Sequence, residues 1–123
     1  MVRLFVYGTL LPGEANYGLA APYVLGSFAG EVRGRLYDAG GYPGCVLDAS
    51  GPTVEGVWLE LKEEALPVLD ELEQFFGAEE ENDYERVWVR DARKPVEGWI
   101  YVWTDSRGLP EIAGGSWRKR GER

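Results

Sequence analysis

The chain contains no histidine and a single cysteine, Cys45. The missing histidine removes any Ser–His or Cys–His nucleophile pair and takes away the commonest zinc ligand, so no metal site and no cofactor is expected. A lone cysteine excludes a disulfide within the chain. Cations are scarce as well: 13 Lys and Arg stand against 21 Asp and Glu, a net charge of −8. A nucleic-acid partner is therefore not expected, because phosphate backbones attract basic surfaces. No apolar run approaches the length needed to cross a bilayer. Only a few apolar residues follow Arg3, so no signal peptide is read. These absences point to a soluble, cytoplasmic protein without a membrane partner. If it is an enzyme, proton transfer falls to Glu, Asp, Tyr, Lys or Cys.

What is present suits one packed domain. Hydrophobic residues make up 45% of the 123, enough for a core in a chain of this length. We read residues 1–123 as a single domain, with 118–123 a flexible basic tail. Residues 2–7 form an alternating strand, with Val2, Leu4 and Val6 on one face and Phe5 and Tyr7 on the other. Further strands are expected at 31–37, 54–61, 84–91 and 96–103, with a short one at 44–47. Three of them carry a glycine at the third position of a similar segment, Gly34, Gly56 and Gly98. Glycine inside a strand marks a bulge or bend, the usual device for curling a sheet. The expected fold class is thus α+β: a small, strongly bent sheet or barrel flanked by a few helices.

The clearest helix is expected over 64–76. Ala65, Val68, Leu69, Leu72 and Phe76 recur at helical spacing, Pro67 is tolerated only in a first turn, and Gly77 supplies the stop. A short helix is read at 14–21, before Pro22. The acidic stretch 78–83 reads as a solvated loop. On the main helix, Glu73 lies roughly 80° from the centre of the apolar stripe, so it borders the core. Asp70 and Glu71 are expected to point further towards water. Position in the last turn and partial burial should both raise the Glu73 pKa, towards the range useful for proton transfer. A surface carboxylate on an acidic helix is the plainer reading of the same residue.

A second stretch draws attention because a glycine directly follows an apolar strand: Tyr7-Gly8-Thr9-Leu10. Such a bend uncovers successive backbone amides, which can point together at a carboxylate or an oxyanion. A plain turn explains the same residues. Tyr42, in the Gly-rich loop 38–44, either closes over a ligand or caps the end of the core. Cys45 reads as a small buried residue with no cationic neighbour to activate it.

These motifs occur in a recognisable order. Tyr7-Gly8-Thr9-Leu10, Gly34-Arg35-Leu36-Tyr37, Tyr42-Pro43-Gly44, Val54-Glu55-Gly56, Leu69-Asp70-Glu71-Leu72-Glu73, Tyr84-Glu85-Arg86 and Gly115-Ser116-Trp117 together resemble the gamma-glutamylcyclotransferase-like (AIG2-like) family. The resemblance implies a small mixed barrel with the site at one mouth. It implies that Glu73, which closes the Leu-Asp-x-x-Glu motif, is the general acid/base. It also implies that the loop Tyr7, Gly8, Thr9 and Leu10 holds the gamma-glutamyl part of a small-molecule substrate, with Tyr42 beside it. Asn16 falls where the family usually has Asn. The implied reaction is an acyl transfer with ring closure, freeing an amine and forming 5-oxoproline. One departure stands out: the family commonly has Gly directly after the catalytic Glu, and this chain has Gln74. That change and the acidic loop bear on the leaving group, and an acidic wall would suit a cationic amine.

Two other readings belong to different classes. A non-catalytic binding module for a carboxylate-bearing metabolite would keep the pocket but tie Glu73 to Arg86. A small-barrel nucleic-acid binder would use the five Trp, seven Tyr and four Phe with the basic tail, against the overall acidity. The sequence carries no signal for an oligomeric state.

Overall fold

A computed structural model describes residues 1–77 and 82–120 of the chain. The acidic stretch 78–81 and the tail residues 121–123 lie outside the described residues. Among the described residues there are six strands: β1 (Val2–Val6), β2 (Val24–Asp38), β3 (Pro43–Leu47), β4 (Thr53–Leu61), β5 (Glu85–Arg90) and β6 (Glu97–Val102). They form one sheet in the order β3-β2-β4-β1-β6-β5, antiparallel throughout except for the parallel β1–β6 pair. Two short helices accompany it, α1 (Tyr17–Ala20), continued by a 3-10 turn at Ala21–Tyr23, and α2 (Ala65–Leu72).

The fold is α+β, and the sheet curls into a half-barrel. The amide of Trp103, just past β6, donates to the Cys45 carbonyl of β3 at 2.9 Å, although β2, β4 and β1 lie between those strands in the sheet. The Tyr7 hydroxyl adds to this closure. It donates to the Tyr101 carbonyl at 2.6 Å and accepts the Cys45 amide at 3.2 Å. The alternation of β1 sorts its side chains into two cores. Leu4 and Val6 join Leu59, Leu61, Ala65 and Leu69 beneath the helices. Phe5 and Tyr7 join Trp58, Leu36, Cys45 and Ile100 on the other face.

The three strand glycines act differently from the reading as bulges. Each pairs without a register shift, and the one irregularity falls between Val24 and Gly26. What they permit is close approach: a Cβ at Gly56 would sit 2.2 Å from the Val6 carbonyl oxygen, and one at Gly98 2.5 Å from that of Arg3. β2 is also much longer than its expected span. Its first half, 24–30, pairs with β4 from Val24 onward.

Helix α2 starts where Pro67 requires but ends at Leu72, not at Phe76. The stop is Gln74, at φ 56°, rather than Gly77. Around it the Phe75 amide donates to the Asp70 carbonyl at 2.9 Å and the Gln74 amide to that of Glu71 at 3.2 Å. This is the paired hydrogen-bond pattern in which a left-handed residue closes a helix. Gln74 stands where the family resemblance leads to the expectation of a glycine, and it adopts the left-handed conformation with its side-chain amide donating to the Glu71 carbonyl at 2.9 Å. Because the helix stops early, Phe76 leaves the apolar stripe and is 62% exposed. Relieving the left-handed side chain outweighs the lost side-chain bond, so Gln74→Gly should stabilise the fold by about 0.5 kcal/mol. Denaturant unfolding measures this; a clear loss of stability would mean that the side-chain bond dominates.

Candidate active site

β1 runs out at Val6, and the chain bends at Tyr7-Gly8-Thr9-Leu10. The bend is closed by the Leu11 amide donating to the Gly8 carbonyl at 3.0 Å. Asn16 ties it twice: its amide donates to the Thr9 carbonyl at 2.8 Å, and its side-chain Nδ2 donates to the Thr9 hydroxyl at 3.0 Å. Gly8 is required by packing, since a Cβ there would meet Pro43 Cγ at 2.5 Å and Cδ at 2.7 Å. Among the described residues, the amides of Gly8, Thr9 and Leu10 donate to no acceptor. A bend with uncovered amides is a ready site for an anion.

These residues line a cavity of about 350 Å³. Its wall includes Tyr7, Gly8, Thr9 and Leu10, and also Tyr42 and Glu73. All six residues named from the sequence are therefore on one cavity. Their parts in it differ. Tyr7 is buried and its hydroxyl is spent on closing the half-barrel, so that hydroxyl is not free for a ligand. Tyr42 is 43% exposed at the rim, with its ring edge-on to Trp103.

Glu73 caps the end of α2. No hydrogen bond or ion pair from a described residue reaches its carboxylate. Burial, first, and the neighbouring Asp83 carboxylate, second, push its pKa up from 4.5 to about 7. Burial, expected from the sequence, is thus the larger cause, and Asp83 is a cause that the sequence did not point to. A carboxyl group that is half ionised near neutrality can both accept and return a proton. The other titratable groups nearby are poorer candidates. Tyr7, Tyr84 and Tyr101 are all raised above the ordinary phenol range, first by burial, and remain neutral hydrogen-bond donors. Burial pushes the Cys45 thiol up to about 12, so it is an inert core residue. Among the described residues, no three His, Cys, Asp or Glu side chains gather as metal ligands would.

Asp70 does not point to water as the helical wheel implied. It accepts Arg86 Nε at 2.8 Å and Nη2 at 3.2 Å, and the Tyr101 hydroxyl at 2.6 Å. The ion pair of Arg86 is thus with Asp70 and not with Glu73. Three cavity residues escaped the sequence reading of individual side chains. Asp83 ends the stretch whose sequence reads as a solvated loop, yet it lines the cavity and its carboxylate pairs with Arg107 at 2.8 Å. Tyr84 lay within a motif but carried no role; its hydroxyl donates to the Pro43 carbonyl at 2.7 Å. Tyr101 gave no signal beyond strand alternation. Away from the cavity, Asp91 is a buried carboxylate that was also missed. Burial opposes its charge, but Trp58 Nε1 and the amides of Glu31, Arg93 and Lys94 hold its pKa down.

Comparison with known proteins adds to this geometry. The model of the family described as gamma-glutamyl cyclotransferase, AIG2-like, matches residues 4–119. The gamma-L-glutamyl-butirosin B gamma-glutamyl cyclotransferase of Niallia circulans is 39% identical over 107 residues, which are 84% of this chain and 67% of that protein. A Vibrio cholerae protein is 34% identical over 121 residues, 95% of this chain and 96% of its own. The crystal structure of an AIG2-like protein from mouse superposes with a TM-score of 0.70 at 23% identity, covering 99% of this chain and 91% of that one. That last likeness is one of fold. Among the described residues no helix is long and apolar enough to cross a membrane.

Proposed function

The chain belongs to the gamma-glutamyl cyclotransferase, AIG2-like family, and from that premise we propose that it cleaves gamma-glutamyl compounds, freeing an amine and closing the glutamyl part into 5-oxoproline. Gamma-glutamyl cyclotransferase activity as such is supported by the family and by the named relative. The observation that carries the finer reading is that one cavity is lined both by the Gly8–Leu10 bend, whose amides have no acceptor among the described residues, and by Glu73, with its pKa pushed up to about 7.

The chemistry follows from those two features. The nucleophile is the substrate's own alpha-amine. Bound as an ammonium, it gives a proton to the Glu73 carboxylate, and the freed nitrogen attacks the gamma-carbonyl carbon. The carbonyl oxygen takes up negative charge in the tetrahedral intermediate, where backbone amides stabilise it. Glu73 then returns its proton to the leaving nitrogen; the oxyanion re-forms the carbonyl as the C–N bond to that nitrogen breaks, the ring nitrogen passes its second proton to the regenerated Glu73 carboxylate and so to water, and the neutral five-membered lactam remains. The attack is intramolecular, so holding the glutamyl chain folded supplies several kcal/mol of the barrier. The Gly8–Leu10 amides and the closed bend behind them perform that holding.

On this reading the leaving amine lies beside Tyr42 and Asp83, which both line the cavity. The Asp83 carboxylate, although paired with Arg107 at 2.8 Å, adds negative charge that favours a cationic amine, such as a lysine side chain or a polyamine, over a neutral one. The Niallia relative is named for a gamma-glutamyl derivative of butirosin B. A binding module without catalysis would have paired Glu73 with Arg86, which is instead taken by Asp70. The test is a panel of gamma-glutamyl amines and gamma-glutamyl dipeptides incubated with the protein. 5-Oxoproline and the free amine should appear in equal amounts, faster for the cationic amines. Release of glutamate, or no turnover on any member, would refute the reading.

A further inference from the structure

We propose that Asp70, held by Arg86 and Tyr101, is a positioning residue that fixes the end of α2 and so aims the Glu73 carboxylate into the cavity. The inference rests on the role proposed for Glu73, but its geometric basis is separate.

Three elements converge on Asp70. Arg86 of β5 and Tyr101 of β6 are directly opposite one another in the β5–β6 pair, so their side chains leave the same face of the sheet. Both reach the Asp70 carboxylate of α2, Arg86 with two hydrogen bonds and Tyr101 with one. Arg86 is itself packed against two rings, its guanidinium carbon 4.4 Å from the centre of the Trp99 ring and 5.2 Å from that of Phe75. The side chains of the pair are only 17% and 20% exposed. This is a two-pronged contact largely out of water, unlike the exposed ion pairs elsewhere on the surface.

The consequence for Glu73 comes from where Asp70 stands. Its side chain anchors the last turn of α2 to the sheet. Its carbonyl accepts the Phe75 amide, which closes the left-handed turn at Gln74. Glu73 lies between those two anchors. Beyond it the Glu73 carbonyl accepts the Tyr84 amide at 3.2 Å, which ties the returning chain. Tyr101 extends the linkage to the other half of the site, because its carbonyl accepts the Tyr7 hydroxyl at the start of the anion loop. One run of hydrogen bonds, Asp70–Tyr101–Tyr7, therefore joins the helix that carries Glu73 to the loop that carries the uncovered amides. A displacement of about 1 Å between such groups costs on the order of a hundredfold in rate.

The test uses Asp70→Asn, Tyr101→Phe and the double variant in the full chain. Two readouts are compared with wild type: steady-state kinetics of 5-oxoproline release, and the titration of the Glu73 side chain followed by carbon NMR in the free protein. Tyr101→Phe keeps the ring in the cavity wall and removes only the bond to Asp70. We expect kcat to fall about tenfold or more in each single variant with KM within about twofold. The double variant should fall no further than the worse single one, because both act on one linkage. The Glu73 titration, at about 7 in the wild type, should move down by about one unit as the loosened helix end lets water in. A merely structural role would lower thermal stability while leaving kcat and the Glu73 titration in place, and that result would overturn the proposal. So would additive losses in the double variant. The NMR arm separates the two claims: if the wild type releases no 5-oxoproline but the titration moves as stated, the cyclotransferase reading fails and the positioning role stands.

Discussion

Glu73→Gln should lower kcat for 5-oxoproline release by at least about a hundredfold, the usual scale of general acid–base catalysis, with KM little changed. In barrier terms that is about 2.7 kcal/mol. Glutamine keeps the length and shape of the side chain, so the substrate's fit is preserved, but it cannot shuttle a proton. Loss of the fold cannot account for the effect, and the sign of the linkage shows why. The folded-state pKa of Glu73 is about 7, above its ordinary 4.5. The stability it contributes is therefore full below pH 4.5 and is lost as pH rises through 7, because ionisation is penalised in the folded protein. At pH 8 the substitution removes that penalty and should leave the protein at least as stable as wild type. Glu71 provides the control. It stands two residues earlier, is exposed and lines no part of the cavity, so Glu71→Gln should leave kcat unchanged.

Gly8→Ala should produce the second largest loss, by a different route. The added methyl group would sit 2.5 Å from Pro43 Cγ and 2.7 Å from Cδ, well inside contact distance. Neither side can yield easily. The proline ring is rigid, and Pro43 of β3 is held by its pairing with Asp38 of β2 and by the Tyr84 hydroxyl on its carbonyl. The loop is held by Asn16 on Thr9. Overpacking of this kind costs about 1–3 kcal/mol. Whatever relaxation occurs must shift the amides that hold the glutamyl group, so kcat/KM should fall by about tenfold to a hundredfold, with KM raised. Gly18→Ala is the matching control. A Cβ at that position meets nothing within 4 Å, and the variant should keep wild-type kinetics. If Gly8→Ala also kept them, the loop would have no part in holding substrate.

How much of this was legible in the chain depends on how local each determinant is. Strand β1 and the bend after it could be read because alternation and a following glycine lie within a few residues of one another. The start of α2 could be read from Pro67. Its end could not, because the residue that stops it is Gln74 in a left-handed conformation that the sequence does not advertise. The first half of β2 was missed for a related reason. Gly26, Ala29 and Gly30 dilute its alternation, and pairing with β4 rather than intrinsic preference makes it a strand. The candidate site follows the same rule. Tyr7–Leu10, Tyr42 and Glu73 came from motifs with a family resemblance behind them. Asp70 was misread because its partners, Arg86 and Tyr101, are far along the chain and only the sheet brings them together. Asp83 was read as part of a solvated loop, yet it lines the cavity and raises the Glu73 pKa.

The most direct measurement of the central claim is the pH dependence of kcat/KM for 5-oxoproline release by the wild-type protein between pH 5 and 8. In that range the profile reports groups that must lose a proton in the free enzyme. With Glu73 as the base, kcat/KM should rise with unit slope and reach half its plateau near pH 7, the pKa that burial and Asp83 impose. A profile already flat by pH 5.5 would mean that an ordinary carboxylate, or none, takes the proton, and it would contradict the assignment of Glu73.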